Sequence, residues 1–223
     1  MAISDSLQVT KSRIAAACVA AGRTPEAVRL LVVSKTFPGS AVREAFAAGA
    51  RAFGENYVQE GLTKAQELAD LPIEWHLIGP LQSNKTRPVA EAFAWVHSVD
   101  RLKIAERLSE QRPAGTAPLN ICLQVNISAE ASKSGLLPAD VAALARQVAA
   151  LPRLTLRGLM AVPEPGPGAL AQHQAMAALF DTLKAEGLAL DTLSLGMSAD
   201  LEDAIRAGST MVRVGSAIFG ART

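Results

Sequence analysis

The chain alternates between two hydrophobic patterns. Short aliphatic and β-branched runs fall at 30–34, 52–54, 74–78, 94–99, 120–127, 155–161, 192–195 and 211–214. Runs of that length and make-up read as strands. Between them lie alanine-rich stretches with apolar residues at helical spacing, at 40–48, 58–69, 101–111, 139–150, 170–186 and 200–207, with a weaker one at 83–92. Every predicted strand but the last is followed by a predicted helix. Eight such units imply a parallel sheet covered on its outer face, and at this chain length a closed (β/α)8 TIM barrel rather than an open doubly wound sheet. No GxGxxG follows the first strand, so the dinucleotide-binding alternative lacks its fingerprint.

Residues 1–22 precede the first strand and read as an extra helix packed on the barrel, with Ser4 or Asp5 as its cap and Leu7, Ile14 and Cys18 spaced along one face. The apolar run at 14–21 is too brief to span a bilayer and too rich in alanine for a signal core, so a cytoplasmic location is expected. Pro38-Gly39-Ser40 stands ahead of Ala41 as a helix start, and Gly49 closes that helix; Gly208 closes the one before the last strand. The Pro/Gly-rich stretch from Pro163 to Gly168 fits a long loop after strand six. The chain runs out within ten positions of Val214, so residues 1–223 are expected to form one domain, with no second one following.

Composition narrows the function. Apolar residues make up 49% of the 223, enough for a substantial core. Lys and Arg total 22 against 21 Asp and Glu, so nothing points to nucleic acid or an anionic membrane as partner. Cys18 and Cys122 lie far apart among apolar neighbours, without CxxC or metal-ligand spacing, and read as small buried hydrophobes; no metal site is expected.

In such a barrel the functional face is where strands end and helices begin. Strand one ends in Ser34-Lys35-Thr36, after Leu30, Leu31, Val32 and Val33. A lysine there is either an ordinary polar strand end or an amine on the rim of a desolvated core. The second setting lowers the ammonium pKa and exposes the neutral nucleophile that a Schiff base requires. Strands seven and eight lead into Gly196-Met197-Ser198-Ala-Asp200 and Gly215-Ser216-Ala217, the usual place for a phosphate cradle. Ser198 or Asp200 suits a helix cap equally well. Gly215 would let backbone approach a phosphate, with Ser216 adding a hydroxyl. Arg213 is spaced to face the barrel interior while Val212 and Val214 point outward. Its partner is either a core carboxylate such as Glu55 or a pyridine nitrogen, one known way of setting the electronics of pyridoxal 5′-phosphate (PLP). Asn56 is placed either to donate to a phenolic oxygen of a cofactor or to cap the next helix. His76 reads as a satisfied core histidine. Lys133 reads as an exposed loop lysine, or as a second amine near the site.

Taken in order, Ser34-Lys35-Thr36, Phe53 to Tyr57, Trp75 to Lys85, Ser132 to Gly135, Arg157 to Met160, Gly196 to Ser198 and Met211 to Ser216 resemble the YggS/PROSC-type PLP homeostasis proteins over essentially the whole chain. The resemblance implies a barrel like the N-terminal domain of alanine racemase, carrying PLP on Lys35. It also implies Asn56 beside the ring, Ser198, Gly215 and Ser216 on the phosphate, and Arg213 facing the ring nitrogen. His76, Met197 and Lys133 are further candidate contacts. Members have no well-established enzymatic activity and are thought to buffer PLP or deliver it to PLP-dependent apoenzymes. The expectation is therefore a monomeric PLP storage and delivery protein that is not an enzyme. The alternative is a weak amino-acid racemase, with Lys35 on one ring face and Lys133 or His76 on the other. Alanine-racemase-like enzymes take their second base, a tyrosine, from a C-terminal domain, and the only tyrosine here is Tyr57. Two departures from the family pattern are Phe37 and the short tail after Arg222.

Overall fold

The computed structural model describes residues 2–130, 133–164 and 166–220. Eight strands close into an all-parallel barrel in sequence order: β1 (Arg29–Val33), β2 (Ala52–Glu55), β3 (Glu74–Leu77), β4 (Trp95–Val99), β5 (Leu119–Gln124), β6 (Leu154–Met160), β7 (Thr192–Ser194) and β8 (Met211–Val214), with β8 pairing back to β1. The helices are α1 (Ile3–Ala20), α2 (Gly39–Ala47), α3 (Val58–Glu67), α4 (Thr86–Ala92), α5 (Leu102–Gln111), α6 (Pro138–Ala149), α7 (Ala169–Ala185), α8 (Leu201–Ala207) and α9 (Ser216–Phe219). The predicted TIM barrel is therefore the fold found, and α1 packs against α2, α8 and α9.

Most of the core lies between sheet and helices. Outward-facing Val32, Phe53, Val96, Ile121, Leu193, Val212 and Val214 meet buried helix residues such as Val42, Ile104, Leu144 and Ile205. Inside the barrel the described residues form two small apolar clusters, Leu31 with Ala52 and Met211, and Trp95 with Cys122 and Met160. Strand alternation separates the two layers, since successive side chains point to opposite faces. Both cysteines are buried in this packing, as expected.

Several predicted details are corrected. The first helix begins at Ile3, with Ala2 in the cap position and no side-chain cap; Ser4 and Asp5 lie inside the first turn, where Asp5 complements the helix dipole. Leu7, Ile14 and Cys18 do form its buried face. The 83–92 segment divides into a 3-10 turn (Ser83–Lys85) and α4, whose first turn accepts Pro88 because no intrahelical N–H bond is needed there. Helix α2 starts at Gly39 with Pro38 as its cap residue. β5 stops at Gln124 instead of running to 127, because Val125 bridges to Leu136 and Asn126 turns to the carbonyls of Glu130 and Lys133. A last short helix, α9, follows β8, where none was predicted. Gly49 and Gly208 do end their helices in left-handed backbone, at φ 95° and 115°. Ser132, Pro165 and Arg222, which figured in the reading of the sequence, lie outside the described residues.

Candidate functional site

At the C-terminal ends of the strands the barrel opens into a cavity of about 430 Å³. Its polar lining is Lys35, Asn56, Ser198, Arg213 and Ser216, and Ile78, Met160, Val162 and Met197 supply apolar wall. A larger depression of about 550 Å³ lies outside the barrel between α2 and α3. Two carboxylates, Glu60 and Glu67, line it, and its lysine, Lys64, is committed to Glu55. It does not suit an anionic ligand.

Lys35 is set on the rim by a buried cluster behind it. Ser34 N–H donates to the Gly54 carbonyl at 3.0 Å, and its hydroxyl donates to Glu55 Oε1 at 2.6 Å. Lys64 Nζ reaches the same Oε1 at 2.8 Å, the Ser34 carbonyl at 2.7 Å and Glu60 at 2.7 Å. Burial pushes the Glu55 carboxyl up, against the pull of Lys64 and Ser34. Thr36 then turns the chain in left-handed backbone, φ 69°, which costs a residue with a Cβ about 1–2 kcal/mol. Its N–H bond to Glu60 at 2.5 Å offsets part of that cost. Beyond the turn, Phe37 stacks on Phe219 of α9 with ring centroids 4.7 Å apart, a contact a polar residue there would not make.

Asn56 lines the cavity and is not a helix cap: Tyr57 holds the cap position of α3, without a side-chain bond. The close approach of the β2 and β3 ends depends on Gly79, where a Cβ would lie 2.1 Å from the Asn56 carbonyl oxygen. Ser198 and Met197 sit in the turn after β7. Asp200 holds that turn by accepting from Met197 N–H at 2.7 Å, so its side chain faces back into the loop instead of capping α8. Its other oxygen meets His173 Nε2 of α7 at 2.9 Å. Burial pushes the Asp200 carboxyl up, but these hydrogen bonds outweigh it and leave the group below its usual range. From outside, Arg13 of α1 donates to the Ser198 carbonyl at 2.7 Å and pairs with Glu202. The Ser198 and Ser216 hydroxyls lie 3.4 Å apart across the two loops. Gly215 also lines the cavity, but the space its missing Cβ leaves is taken by the Val33 carbonyl of β1, 2.8 Å from where that atom would be.

Arg213 faces inward, as its spacing required, and is 4% exposed. It does not pair with Glu55. Nη1 donates to the Ser194 carbonyl at 2.7 Å and hydroxyl at 2.9 Å, and Nη2 to the Ala161 carbonyl at 2.9 Å. Burial brings the guanidinium down to about 10, still a cation at neutral pH. Two candidates fall away. His76 lies deeper in the barrel, bonded to Glu74 and His97, and does not line the cavity. Lys133 is paired with Glu130 at 2.5 Å and is likewise outside it. Met197 was among the candidates, but the rest of the apolar wall was missed in the sequence, although Ile78 and Met160 stand at or just past the ends of β3 and β6, where reading every strand end would have found them.

The residues fit a small aromatic phosphate with an electrophilic carbon: an amine, two serines whose hydroxyls meet, a buried cation and apolar wall line one cavity. The described helices include none long and apolar enough to cross a membrane, and no cluster of His, Cys, Asp and Glu suits a metal among the described residues.

The chain matches the family profile of the alanine racemase N-terminal domain over residues 13–223. Pyridoxal phosphate homeostasis proteins of Pseudomonas aeruginosa and Escherichia coli K12 are 64% and 56% identical to this chain, covering 99% of it and 96% and 97% of their own lengths. The chain belongs to the pyridoxal phosphate homeostasis protein family. Among solved structures, PipY of Synechococcus elongatus with PLP bound is 38% identical at a TM-score of 0.85, covering 98% of this chain and 100% of that one. Alanine racemase from Corynebacterium glutamicum, 17% identical at a TM-score of 0.70, covers 98% of this chain and 61% of its own and shares the fold.

Proposed function

We propose that this protein binds PLP covalently through Lys35, and that it stores and delivers the cofactor instead of turning over substrate. The observation that carries this reading is the make-up of the cavity. Lys35 and Arg213 are the titratable side chains among the described residues that line it. Inverting an amino acid Cα needs acid–base groups on both faces of the ring. Lys35 provides one, and Arg213 stays charged and cannot act as a base. Lys133 and His76, the candidates for the other face, lie outside the cavity.

PLP, when bound, supplies an aldehyde that condenses with a primary amine and a ring that withdraws electrons. Lys35 holds the aldehyde carbon. Ser198 and Ser216 would donate to the phosphate and Asn56 to the ring's phenolic oxygen, with Gly215 lining the same cavity. Arg213 donates to the ring nitrogen without giving up its proton, which keeps that nitrogen unprotonated and the ring a weak electron sink. This is suited to holding. The physiological role that follows is a cytoplasmic, monomeric barrel, residues 1–223 acting as one domain, that passes PLP to PLP-dependent apoenzymes.

The test is the absorbance spectrum of wild type beside Lys35→Ala, before and after borohydride reduction. A visible imine band in wild type, fixed by reduction and missing in Lys35→Ala, is expected. Wild type without such a band in excess PLP would refute the reading. Steady deuterium exchange at Cα of an added amino acid, abolished by Lys35→Ala, would turn it towards a racemase.

A further inference from the structure

Below the cavity a line of hydrogen bonds crosses the barrel interior. It begins at Arg29 of β1, whose Nη2 lies 2.7 Å from Glu74 Oε1. That oxygen is 2.6 Å from His76 Nε2; His76 Nδ1 is 2.9 Å from His97 Nε2; His97 Nδ1 is 3.1 Å from Ser194 Oγ. Ser194 Oγ then accepts from Arg213 Nη1 at 2.9 Å. His76, His97 and Ser194 are completely buried. The line runs from β3 and β4 to β7 and β8, across the closed sheet.

The chemistry of the Glu74 end fixes the direction of every bond. Burial pushes the Glu74 carboxyl up, but His76 and Arg29 outweigh it and leave it below its usual range, hence ionised at neutral pH. A carboxylate only accepts, so the proton in that bond sits on His76 Nε2. Burial keeps His76 neutral, lowering it to about 4, and holds His97 neutral as well. A neutral imidazole carries one N–H, so His76 Nδ1 must accept and His97 Nε2 must donate. His97 Nδ1 is then bare, and the Ser194 hydroxyl donates to it. With its proton turned towards His97, Ser194 can offer Arg213 only lone pairs. A serine free to rotate could present its proton to the guanidinium, donor against donor.

We propose that His97, acting through Ser194, is a positioning residue for Arg213: the chain Glu74–His76–His97–Ser194 aligns the serine hydroxyl and so holds the guanidinium in one orientation towards the cofactor. The part of this that concerns the cofactor rests on the PLP reading above. Satisfying buried polar groups would by itself explain the bonds, but it requires no effect on the cofactor.

The first measurement needs no PLP. Histidine ¹⁵N NMR of the cofactor-free wild type should show His76 and His97 both neutral with the proton on Nε2. A proton on His97 Nδ1 overturns the proposal and leaves the PLP reading intact. The second compares PLP affinity and the absorbance band of the bound cofactor in wild type, His97→Leu and His97→Asn. His97→Leu should shift the band and weaken binding about tenfold, the size of one lost hydrogen bond to a charged group. His97→Asn, which keeps an acceptor near the Nδ1 position, should restore much of both. If His97→Leu does not fold, Ser194→Ala makes the same comparison with a smaller truncation. Bands and affinities that match wild type in His97→Leu or Ser194→Ala overturn the proposal. A wild type that takes up no PLP fails the cofactor reading and takes this proposal with it, whatever the tautomers.

Discussion

Lys64→Met should cost this protein much of its stability, and the cost should grow with pH. Lys64 and Glu55 are 6% and 0% exposed, and their 2.8 Å contact is the charge pairing of a fully buried carboxylate. Removing one partner of such a pair typically costs about 3–5 kcal/mol, because the other charge is left without compensation. That is a large share of a total of about 5–15 kcal/mol. Glu55 can escape part of the penalty by taking up a proton. Its carboxyl is already raised from 4.5 by burial, with Lys64 and Ser34 pulling the other way, so loss of Lys64 raises it further. A group whose folded pKa is raised binds more protons when folded, and stability falls as pH rises through the gap. Wild-type Glu55 is raised too, so both proteins lose stability together at first; the deficit should widen once pH passes the folded pKa of wild-type Glu55, and stop widening when Glu55 is ionised in the folded variant as well. Urea midpoints of both proteins between pH 5 and 8 measure this directly. Glu55→Leu/Lys64→Met, which removes both charges, should recover all but about 1–2 kcal/mol, the bond the Ser34 hydroxyl loses. A deficit below about 1 kcal/mol at pH 8, or one independent of pH, would refute the claim that this pair compensates a buried charge.

Three further outcomes follow from the geometry. Gly79→Ala should destabilise by about 1–3 kcal/mol and weaken PLP uptake, since the new Cβ would displace Asn56; an unchanged urea midpoint and imine band would contradict this. Arg13→Ala should change stability by less than about 1 kcal/mol, its side chain being 37% and that of Glu202 50% exposed, yet weaken PLP about threefold to tenfold by freeing the Ser198 carbonyl; spectral titration separates the two effects. Cys122, whose thiol burial pushes up to about 12, should resist a thiol reagent in the native protein at pH 8 and react once unfolded, and rapid native labelling would show the barrel interior to be open.

Much of the molecule was legible from local pattern. Aliphatic runs such as Leu30 to Val33 and the alanine-rich stretches between them fixed the number and order of strands and helices, because run length and helical spacing are properties of neighbouring residues. Strand order placed Lys35 at the mouth and the Gly196 and Gly215 turns side by side, since strand eight must close against strand one. Alternation alone turned Arg213 inward.

What these inward side chains meet was decided only by closure of the sheet. The partner of Arg213 is Ser194, and His97 reaches Ser194 across 97 positions of chain, a pairing set by the stagger of strands around the barrel. Asp200 has the sequence of a helix cap, yet it turns back to Met197 because His173, from another helix, takes its second oxygen. Lys133 looks like a second amine in the sequence and is removed by Glu130 three residues earlier. The chain's own pattern determines which faces are apolar and where the loops fall. Which polar groups find one another depends on register between strands distant in sequence, and that is a property of the closed barrel as a whole.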